Sequence, residues 1–235
     1  RGAALECLPE FSLLPYFPGT KDPKGFEWAE ALPGGISERF FAEMARTHGI
    51  TLVGSLYEKT ADGQYFDTAT VHNPKGDLLG ITLKVHIPYG EGYNETDFFK
   101  GASEYPIHNI GAANIAAPTC YDQWFPELAR IYAMNGAEFI FYPTAIGSEP
   151  SAPDIDTEPM WELVMRGHAI ANGLFIGAAN RVGVENGVTF YGSSFICDPT
   201  GKILAQAGRD TTQVVVADLE PQVLEHWRWL FPLLQ

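Results

Sequence analysis

The sequence predicts a layered α/β domain in which helices cover the sheets. Three observations carry this prediction. Short apolar stretches alternate with amphipathic ones, β-hairpin patterns are interposed between them, and no linker or low-complexity segment divides the chain. Strands and helices that alternate in this way pack as layers around a shared core. With 235 residues, 46% of them hydrophobic, the chain is long enough for one large core, so residues 1–235 are predicted to form a single domain.

The first half of the chain is predicted to contain strands, a helix and a hairpin. Strands are predicted over "AALECLP" and "ITLVGSLY". The helix between them covers "SERFFAEMARTHG", with Ser37 as its cap and Gly49 at its end. "QYFDTATVHN" and "LLGITLKVH" alternate with period two around the turn "PKGD", which predicts the hairpin. One face of the helix carries the apolar stripe Phe40, Phe41, Met44 and Ala45.

The second half repeats the alternation. "ANIAAPT", "EFIFYP" and "LFIGAANR" are predicted strands, separated by helices over "FPELARIYAMNG" and "PMWELVMRGHAIANG". Pro126 lies near the start of the first of these helices, and Gly136 follows its end. Short strands over "TFYGSSFICD", "KILAQAG" and "QVVVADL" complete the prediction.

Composition excludes several classes of function. Fifteen basic against 29 acidic residues give a formal charge of −14 without any Lys/Arg cluster, which argues against nucleic-acid binding and weakly favours neutral or cationic ligands. No run of eighteen apolar residues exists, so no membrane span is expected, and "RGAALECLPE" does not read as a signal peptide. The three cysteines Cys7, Cys120 and Cys197 are too far apart for a CxxC metal site or a disulfide framework. A reducing, cytoplasmic setting is therefore expected.

Cys120 is the candidate nucleophile. It lies in "IAAPTCYDQWFPELA", at a corner between a predicted strand and a helix start. Unpaired N–H groups at a helix N-terminus favour a thiolate and can also stabilise an oxyanion. The alternative is a buried cysteine that only packs, and this remains the interpretation for Cys7 and Cys197, which lie within apolar strands.

A cysteine nucleophile needs a base, and none of the six histidines lies in a stretch resembling a Cys-protease histidine motif. A carboxylate base with a lysine partner is the other possibility. Glu10 directly follows the strand "AALECLP", and Lys84 lies near the end of "LLGITLKVH". Strand ends in layered α/β folds meet at a common crevice, so Glu10, Lys84 and Cys120 are expected to converge.

These residues carry a resemblance to a known family. "LPEFSLLPYF", "LKVHIPYGEGY" and "TCYDQWFPELAR" resemble, in the same order, the Glu, Lys and Cys motifs of the nitrilase superfamily of carbon–nitrogen hydrolases. "GAEFIFYPTAIGSEP" and "RGHAIANGLFIGAANRVG" extend the resemblance over essentially the whole chain. It implies a four-layer αββα sandwich that pairs through its helices into a homodimer or a larger homo-oligomer. It also implies that neither a metal nor an organic cofactor takes part.

The resemblance also implies roles. Glu10 is expected to be the general base, Cys120 the nucleophile that forms a thioester, and Lys84 with the backbone N–H of Tyr121 the oxyanion donors. In "GYNETDFF", Glu95 matches a second glutamate that orients the lysine and the substrate nitrogen. Further candidate substrate contacts are Tyr16, Thr144 and Glu149, the last as a partner for a cationic tail.

The branch of the family is indicated by "CYDQW" and "FYPTAIGSEP", which resemble N-carbamoylputrescine amidases and β-ureidopropionase-like enzymes; Asp122 stands where true nitrilases have glutamate. Hydrolysis of an N-carbamoyl amine to ammonia, carbon dioxide and the free amine is therefore expected. Relative to the family pattern, a first strand and helix and a C-terminal tail are expected to be missing. Pro118 is expected to remove a hydrogen bond from the strand before Cys120.

Three alternatives remain. A plain amidase for aliphatic amides or dicarboxylate monoamides would use the same chemistry, with Arg130, Arg166 or Arg181 supplying charge for a carboxylate tail. An inactive oligomeric scaffold is disfavoured by the intact set of Glu10, Lys84 and Cys120. A papain-like hydrolase is disfavoured because no histidine motif accompanies the cysteine.

Overall fold

A computed structural model describes residues 2–234 of the chain. It contains four α-helices and fourteen short strands within this range. The helices are α1 Ile36–His48, α2 Pro126–Met134, α3 Glu158–Asn172 and α4 Pro221–Leu230. None of the helices in residues 2–234 has the length and apolar character required to cross a membrane.

The strands form two main sheets and two small hairpins. The four-stranded sheet has the order β1-β2-β3-β4, with β1 parallel to β2 and the other pairs antiparallel. Its strands are β1 Leu5–Cys7, β2 Thr51–Lys59, β3 Tyr65–His72 and β4 Leu78–Leu83. The hairpins pair β5 Tyr89–Gly90 with β6 Tyr93–Asn94, and β11 Val182–Glu185 with β12 Val188–Tyr191.

The second main sheet has six strands in the order β14-β13-β10-β9-β8-β7. Its central pairs β10/β9 and β9/β8 are parallel, and the outer pairs are antiparallel. Its strands are β7 His108–Asn109, β8 Asn114–Ala116, β9 Phe139–Thr144, β10 Phe175–Asn180, β13 Phe195–Cys197 and β14 Ile203–Gln206. All six residues of β9 are buried, as expected for a central strand covered on both faces.

Apolar clusters define the order of the layers. Between the two sheets, Val53 and Val71 of the first pack in one cluster with Phe139 and Phe175 of the second. The other face of the four-stranded sheet is covered by α1, and the other face of the six-stranded sheet by α2 and α3. The fold is therefore the expected four-layer αββα sandwich. In the outer layers, the packed side chains include Phe41, Ala45, Leu52 and Leu56 on one side and Leu128, Trp161, Met165 and Ile140 on the other.

The predicted helices are confirmed, with differences at their ends. Gly35, not Ser37, occupies the N-cap position of α1, and Ser37 is a buried residue of the first turn whose N–H donates to the Glu30 carboxylate. Gly49 ends α1 with a φ of 64°, a conformation that glycine adopts without steric cost. Phe40, assigned to the apolar stripe, is 38% exposed.

At the C-terminal side, "KILAQAG" is confirmed as β14 Ile203–Gln206, but two other strand predictions differ from the structure. "QVVVADL" (213–219) forms no strand, and Val214 is 73% exposed, because no described segment pairs with it. "TFYGSSFICD" divides into β12 and β13, which belong to different sheets, with a turn at Gly192–Ser193 where both residues have positive φ. Helix α4 was not predicted.

The corner before Cys120 also differs from expectation. Strand β8 already ends at Ala116, so Pro118 lies beyond the sheet and removes no hydrogen bond from it. Cys120 begins a 3₁₀ helix, Cys120–Trp124, which Phe125 separates from α2. A short 3₁₀ turn, and not the N-terminus of an α-helix, therefore follows the cysteine.

Candidate active site

The centre of the site is the ammonium group of Lys84, which is completely buried among carboxylates. Its Nζ lies 2.7 Å from Oε1 of Glu10, 2.5 Å from Oε2 of Glu95 and 3.5 Å from Oδ2 of Asp67. All four side chains are fully excluded from solvent. Buried charges persist in proteins only when they are paired and hydrogen-bonded, and here the three carboxyl groups share one cation, Lys84.

The four-stranded sheet supplies most of this cluster. Lys84 is the first residue after β4, and its backbone N–H donates to the carbonyl of Asp67 on the neighbouring strand β3 (3.0 Å). Ser55 on β2 donates its hydroxyl hydrogen to the Asp67 carboxylate (3.1 Å) and accepts a hydrogen bond from the N–H of Phe11 (3.0 Å). Neighbouring strands thus place Lys84, Asp67 and Ser55 side by side, and Glu10 contacts this group through Lys84.

Contacts with the second sheet hold Glu10 in place. Its N–H donates to the carbonyl of Thr144 at the end of β9 (3.4 Å). The guanidinium of Arg181 donates to the carbonyls of Phe11 and Leu14, so the turn that carries Glu10 is tied to the end of β10. The base candidate is therefore fixed between the two sheets.

The charges shift one another's pKa values. Burial would lower the pKa of Lys84, but the carboxylates of Glu10 and Glu95 outweigh it and raise that pKa well above its ordinary value. Burial raises the pKa of Glu95 to about 7, against the attraction of Lys84. The pKa of Glu10 is raised well above its ordinary value, first by burial and also by its neighbour Asp67. Lys84 is therefore a permanent cation, whereas Glu95 can hold a proton near neutrality.

Cys120 occupies a strained position at the edge of this cluster. Its φ is 45°, in the left-handed region that non-glycine residues rarely adopt, and its side chain is only 4% exposed. Its Sγ lies 3.6 Å from the carbonyl oxygen of Ala145, to which it donates. Backbone strain of this kind is typical of functional positions that the surrounding structure holds in place.

The thiol is protonated at rest. Burial raises the pKa of Cys120 well above its ordinary value, the carboxylates of Glu10 and Glu95 raise it further, and Lys84 opposes them. This differs from the thiolate expected at a helix N-terminus. A neutral thiol that acts as a nucleophile must lose its proton to a base during the attack.

The two residues after the nucleophile differ in their hydrogen bonding. Within residues 2–234, no group accepts a hydrogen bond from the N–H of Tyr121, which leaves it free to donate to an oxyanion. The buried carboxylate of Asp122 accepts hydrogen bonds from the backbone N–H groups of Thr119 (3.1 Å), His86 (2.8 Å) and Val85 (3.3 Å), and it lies 2.8 Å from Nδ1 of His86. Asp122 thus links the segment after Lys84 to the segment that carries Cys120.

The remaining candidates separate into supporting and accessible residues. Tyr16 donates its hydroxyl hydrogen to Glu95 (2.7 Å), so it holds a carboxylate of the cluster. Thr144 donates its hydroxyl hydrogen to the carbonyl of Tyr142 (2.9 Å) and supports Glu10 through its own carbonyl. Glu149 is half-buried in the loop after β9, makes no ion pair among the described residues, and has a pKa raised by burial.

The three arginines offered as pocket cations are all engaged elsewhere. Arg130 donates to carbonyls of Ala171 and Leu233, and Arg166 pairs with Glu162 and donates to the carbonyl of Gly201. Arg181 pairs with Glu185 beside the turn that it supports. Their positions therefore give no support for a carboxylate-tailed substrate.

Sequence reasoning missed Asp67 and Tyr93. Asp67 is a lone acidic residue within the strand "YFDTATVH", whereas Glu10 and Lys84 were singled out because they lie at strand ends. Tyr93 donates its hydroxyl hydrogen to the carbonyl of Ser148 (3.0 Å) and accepts from the N–H of Gly147 (3.0 Å), which joins the β5–β6 hairpin to the loop carrying Glu149. No feature of the sequence distinguished Tyr93 from other loop tyrosines.

The carboxylates of Glu10, Asp67 and Glu95 resemble a cation site, since one oxygen of each lies within 4.8 Å of the others. Such a set of hard oxygen donors would suit a divalent metal. The ammonium of Lys84, however, already makes the close contacts with these carboxylates. The protein's own lysine therefore serves as the cation of this cluster.

The catalytic candidates Glu10, Lys84 and Cys120 are buried in this structure. Two surface cavities, of about 410 and 510 Å³, are lined by other residues. The first borders the β5–β6 hairpin and the second borders Gly147 and Ser148, so the Tyr93 contact lies between them.

Comparison with known proteins identifies the family. The model of the family described as carbon–nitrogen hydrolase matches residues 1–229. The chain is 35% identical to a citrullinase of Francisella tularensis (100% of this chain, 83% of the relative) and 36% identical to an N-carbamoylputrescine amidase of Solanum lycopersicum (94% and 76%).

A solved structure shows the same fold. The crystal structure of a carbon–nitrogen hydrolase from Helicobacter pylori superposes with a TM-score of 0.91 at 34% identity, covering 98% of this chain and 82% of that one. The resemblance carried by the three motifs is confirmed, as is the sandwich architecture it implied. With a family match over almost its full length and relatives of this similarity, the chain belongs to the carbon–nitrogen hydrolase family, the nitrilase superfamily.

Proposed function

We propose that this enzyme hydrolyses the carbon–nitrogen bond of an N-carbamoyl amine, with Cys120 as nucleophile, Glu10 as general base and Lys84 as oxyanion donor. The observation that carries the proposal is the buried Lys84 ammonium held between Glu10 and Glu95 next to a strained, protonated cysteine. A base, a nucleophile and a fixed positive charge in one buried site are the components that acyl transfer requires.

The first half of the reaction transfers the carbamoyl carbon to sulfur. Cys120 attacks this carbon while its proton passes to Glu10, and the oxygen of the tetrahedral intermediate accepts hydrogen bonds from Lys84 and the N–H of Tyr121. The C–N bond then breaks, and the leaving nitrogen takes the proton from Glu10 and departs as ammonia. Glu95, bonded to Lys84 and Tyr16, keeps the ammonium in position and orients the substrate nitrogen.

The second half hydrolyses the thioester. Water attacks the carbonyl carbon, Glu10 takes its proton, and the proton returns to the sulfur of Cys120 as the C–S bond breaks. For an N-carbamoyl amine the product is a carbamate, which loses carbon dioxide and leaves the free amine. The same residues thus serve both halves, with Glu10 alternating between base and acid.

The preference for an amine tail rests on charge and similarity. Glu149 offers a half-buried carboxylate without an ion-pair partner among the described residues, next to Ser148, whose carbonyl accepts from Tyr93. A protonated amine would supply that partner. Two relatives named above are, by their names, a citrullinase and an N-carbamoylputrescine amidase. We propose that Tyr16 and Thr144 position Glu95 and Glu10 and do not contact the substrate directly.

We further propose that the enzyme is a cytoplasmic homodimer or larger homo-oligomer that pairs through its helical face. Met134 of α2 and Met160 and Leu163 of α3 are exposed by 48–64% on the outer helical layer, and exposed apolar side chains are enriched at interfaces when they form a patch. A monomer mass in light scattering would contradict the pairing. A reducing compartment would keep Cys120 a free thiol, and recovery of the protein outside the cytoplasm on cell fractionation would contradict that location.

The proposal is tested by ammonia release from N-carbamoylputrescine, N-carbamoyl-β-alanine, an N-carbamoyl-D-amino acid, a short aliphatic amide and an aromatic nitrile. We expect turnover of an N-carbamoyl compound that is lost in Cys120→Ala and kept in Cys197→Ala, a matched change of a buried cysteine outside the site. Turnover of the plain amide alone would make the enzyme an amidase. If a folded protein released no ammonia from any compound of the panel, the proposal would be overturned in favour of an inactive scaffold.

A further inference from the structure

The buried cluster contains more acid than base. Three carboxyl groups surround one ammonium, and all four side chains are fully buried. If Glu10, Asp67 and Glu95 were all ionised, two negative charges would remain uncompensated. Uncompensated charge in a protein interior is so costly that a group takes up a proton instead.

Hydrogen bonding identifies where such a proton resides. Both oxygens of Glu95 accept hydrogen bonds, from Tyr16 and Lys84, and these bonds stabilise its ionised form. Oε1 of Glu10 accepts from Lys84, and Oδ1 of Asp67 accepts from Ser55. Among residues 2–234, their second oxygens, Oε2 of Glu10 and Oδ2 of Asp67, are buried without a hydrogen-bond partner, and Oδ2 of Asp67 lies 3.5 Å from Nζ of Lys84.

The two unpartnered oxygens satisfy each other if one of them carries a proton. One oxygen of each of the three carboxyl groups lies within 4.8 Å of the others, so Glu10 and Asp67 are close neighbours. A protonated carboxyl group is a donor, and an ionised one accepts. A proton held between Glu10 and Asp67 therefore accounts for both orphan oxygens and removes one negative charge.

We propose that Glu10 and Asp67 share one proton in the resting enzyme, and that Asp67 thereby sets the pH above which Glu10 can act as the base. Asp67 is a positioning residue in this scheme, because it acts through Glu10. The proposal rests on the base role given to Glu10 under the proposed function.

The groups that face the pair agree with this assignment. They are the Lys84 ammonium from β4, the Glu95 carboxylate held by Tyr16, the Cys120 thiol and the Ser55 hydroxyl of β2. Burial raises the pKa of Glu10 and of Asp67, and Lys84 opposes it in both. A hydrogen bond between the two carboxyl groups would raise the pKa of Glu10 and lower the pKa of Asp67. The proton thus favours Glu10, with Asp67 as its acceptor.

Asp67→Asn should release this proton. The amide removes one negative charge and offers an N–H to Oε2 of Glu10, and both effects favour the ionised form of Glu10. The pH at which Glu10 becomes a base should therefore fall by about one unit or more. A weaker base also takes a proton less effectively, so kcat on the plateau should fall roughly tenfold. KM should not change, since Asp67 does not contact the substrate.

The experiment follows alkylation of Cys120 by iodoacetamide against pH, which needs no turnover and so remains informative if the proposed substrate is wrong. Asp67→Asn should move the acid limb of the profile to lower pH by about one unit. Glu58→Gln is the matched control, because it also removes a buried carboxyl group of the same sheet. Glu58 accepts a hydrogen bond from Thr68, which follows Asp67 in β3 and therefore points to the opposite face of the sheet. An unchanged limb in Asp67→Asn, or an equal shift in the control, would overturn the proposal.

A second measurement and a second variant protect the test. Infrared difference spectra at about pH 8, above the pKa of about 7 of Glu95, should contain a protonated-carboxyl band in the wild type that is lost in Asp67→Asn. Absence of the band in the wild type would overturn the proposal that Glu10 and Asp67 share a proton.

Ser55→Ala removes a hydrogen bond that lowers the pKa of Asp67. It should move the alkylation limb to higher pH, opposite to Asp67→Asn, and a shift to lower pH would contradict the proposal.

Discussion

The two sheets contribute unlike halves to the site. The charged half consists of Glu10, Asp67, Lys84 and Glu95, and three of these four residues lie on or directly beyond the four-stranded sheet. The nucleophile half consists of Cys120, Tyr121 and Asp122 in the 3₁₀ turn beyond strand β8 of the six-stranded sheet. The charged half is held by ion pairs between side chains, whereas the nucleophile half is held by backbone geometry and by one carboxylate.

This difference shows how the chemistry is divided. Ion pairs in a dry interior fix protonation states, because each charge depends on its neighbours. A backbone corner with a positive φ fixes the direction of a single side chain, and within residues 2–234 the N–H of Tyr121 beside it has no acceptor. The charged half therefore sets when a proton moves, and the nucleophile half sets where the bond forms. Changes in the first should alter stability and pH dependence, and changes in the second should alter rate.

The largest effect is expected from Lys84→Met, which removes the only cation of the charged half. The three buried carboxyl groups lose their common partner, and breaking a buried pair costs roughly 3–5 kcal/mol of unfolding free energy at neutral pH. The loss should shrink at acid pH, where the carboxyl groups are neutral, and urea denaturation at two pH values measures it. Lys21→Met is the control, since Lys21 pairs with Asp97 at the surface and should change little. An equal loss in both variants would contradict the interior role of Lys84.

Much of this division could be predicted from the sequence. Glu10, Lys84 and Cys120 stood out because each places a charge or a thiol at the end of an apolar strand, and the structure brings Glu10 and Lys84 together at 2.7 Å. The helices followed from their periodicity and their glycines. "QVVVADL" had the pattern of a strand but remains unpaired, because pairing depends on a neighbouring strand edge that composition does not reveal.

Asp67 shows why the site was incomplete. Counting back from the hairpin turn pairs His72 with Leu78, and the same count places Asp67 opposite Leu83. A register shift between Val71 and His72 moves the pairing by one residue and brings Asp67 beside Lys84 instead. One bulge thus changes which side chains share a face, and the sequence carries no marker for it.

An intermediate effect is expected from Glu95→Gln, measured as stability against pH. The pKa of Glu95 is raised from 4.5 to about 7 by burial, so between these values the native protein holds a proton that the unfolded chain releases. The unfolding free energy of the wild type should therefore fall, relative to the variant, as the pH rises through this window, by about 3 kcal/mol in total. Tyr16→Phe is the companion variant: it removes a hydrogen bond that lowers this pKa, so the decline should extend to higher pH. Parallel curves for the wild type and Glu95→Gln would contradict the assignment.

The smallest effect on stability, and the sharpest test of how the halves are joined, is expected from Asp122→Asn. The carboxylate uses both oxygens to accept from backbone N–H groups on either side, near Lys84 and near Cys120. An amide keeps one acceptor and turns an NH₂ group toward N–H donors, which should cost about 1–3 kcal/mol of unfolding free energy.

The rate should respond more than the stability does. A small displacement of Cys120 relative to Lys84 misaligns the nucleophile and the oxyanion donor, so kcat should fall roughly 10- to 100-fold with little change in KM. His86→Phe is the matched control, because it keeps a ring stacked on Phe125 and removes only the Nδ1 contact to Asp122. Retention of most activity in His86→Phe and its loss in Asp122→Asn would locate the link in the backbone hydrogen bonds. Equal losses would place it in the imidazole ring, and the two halves would then be joined by a side chain and not by the main chain.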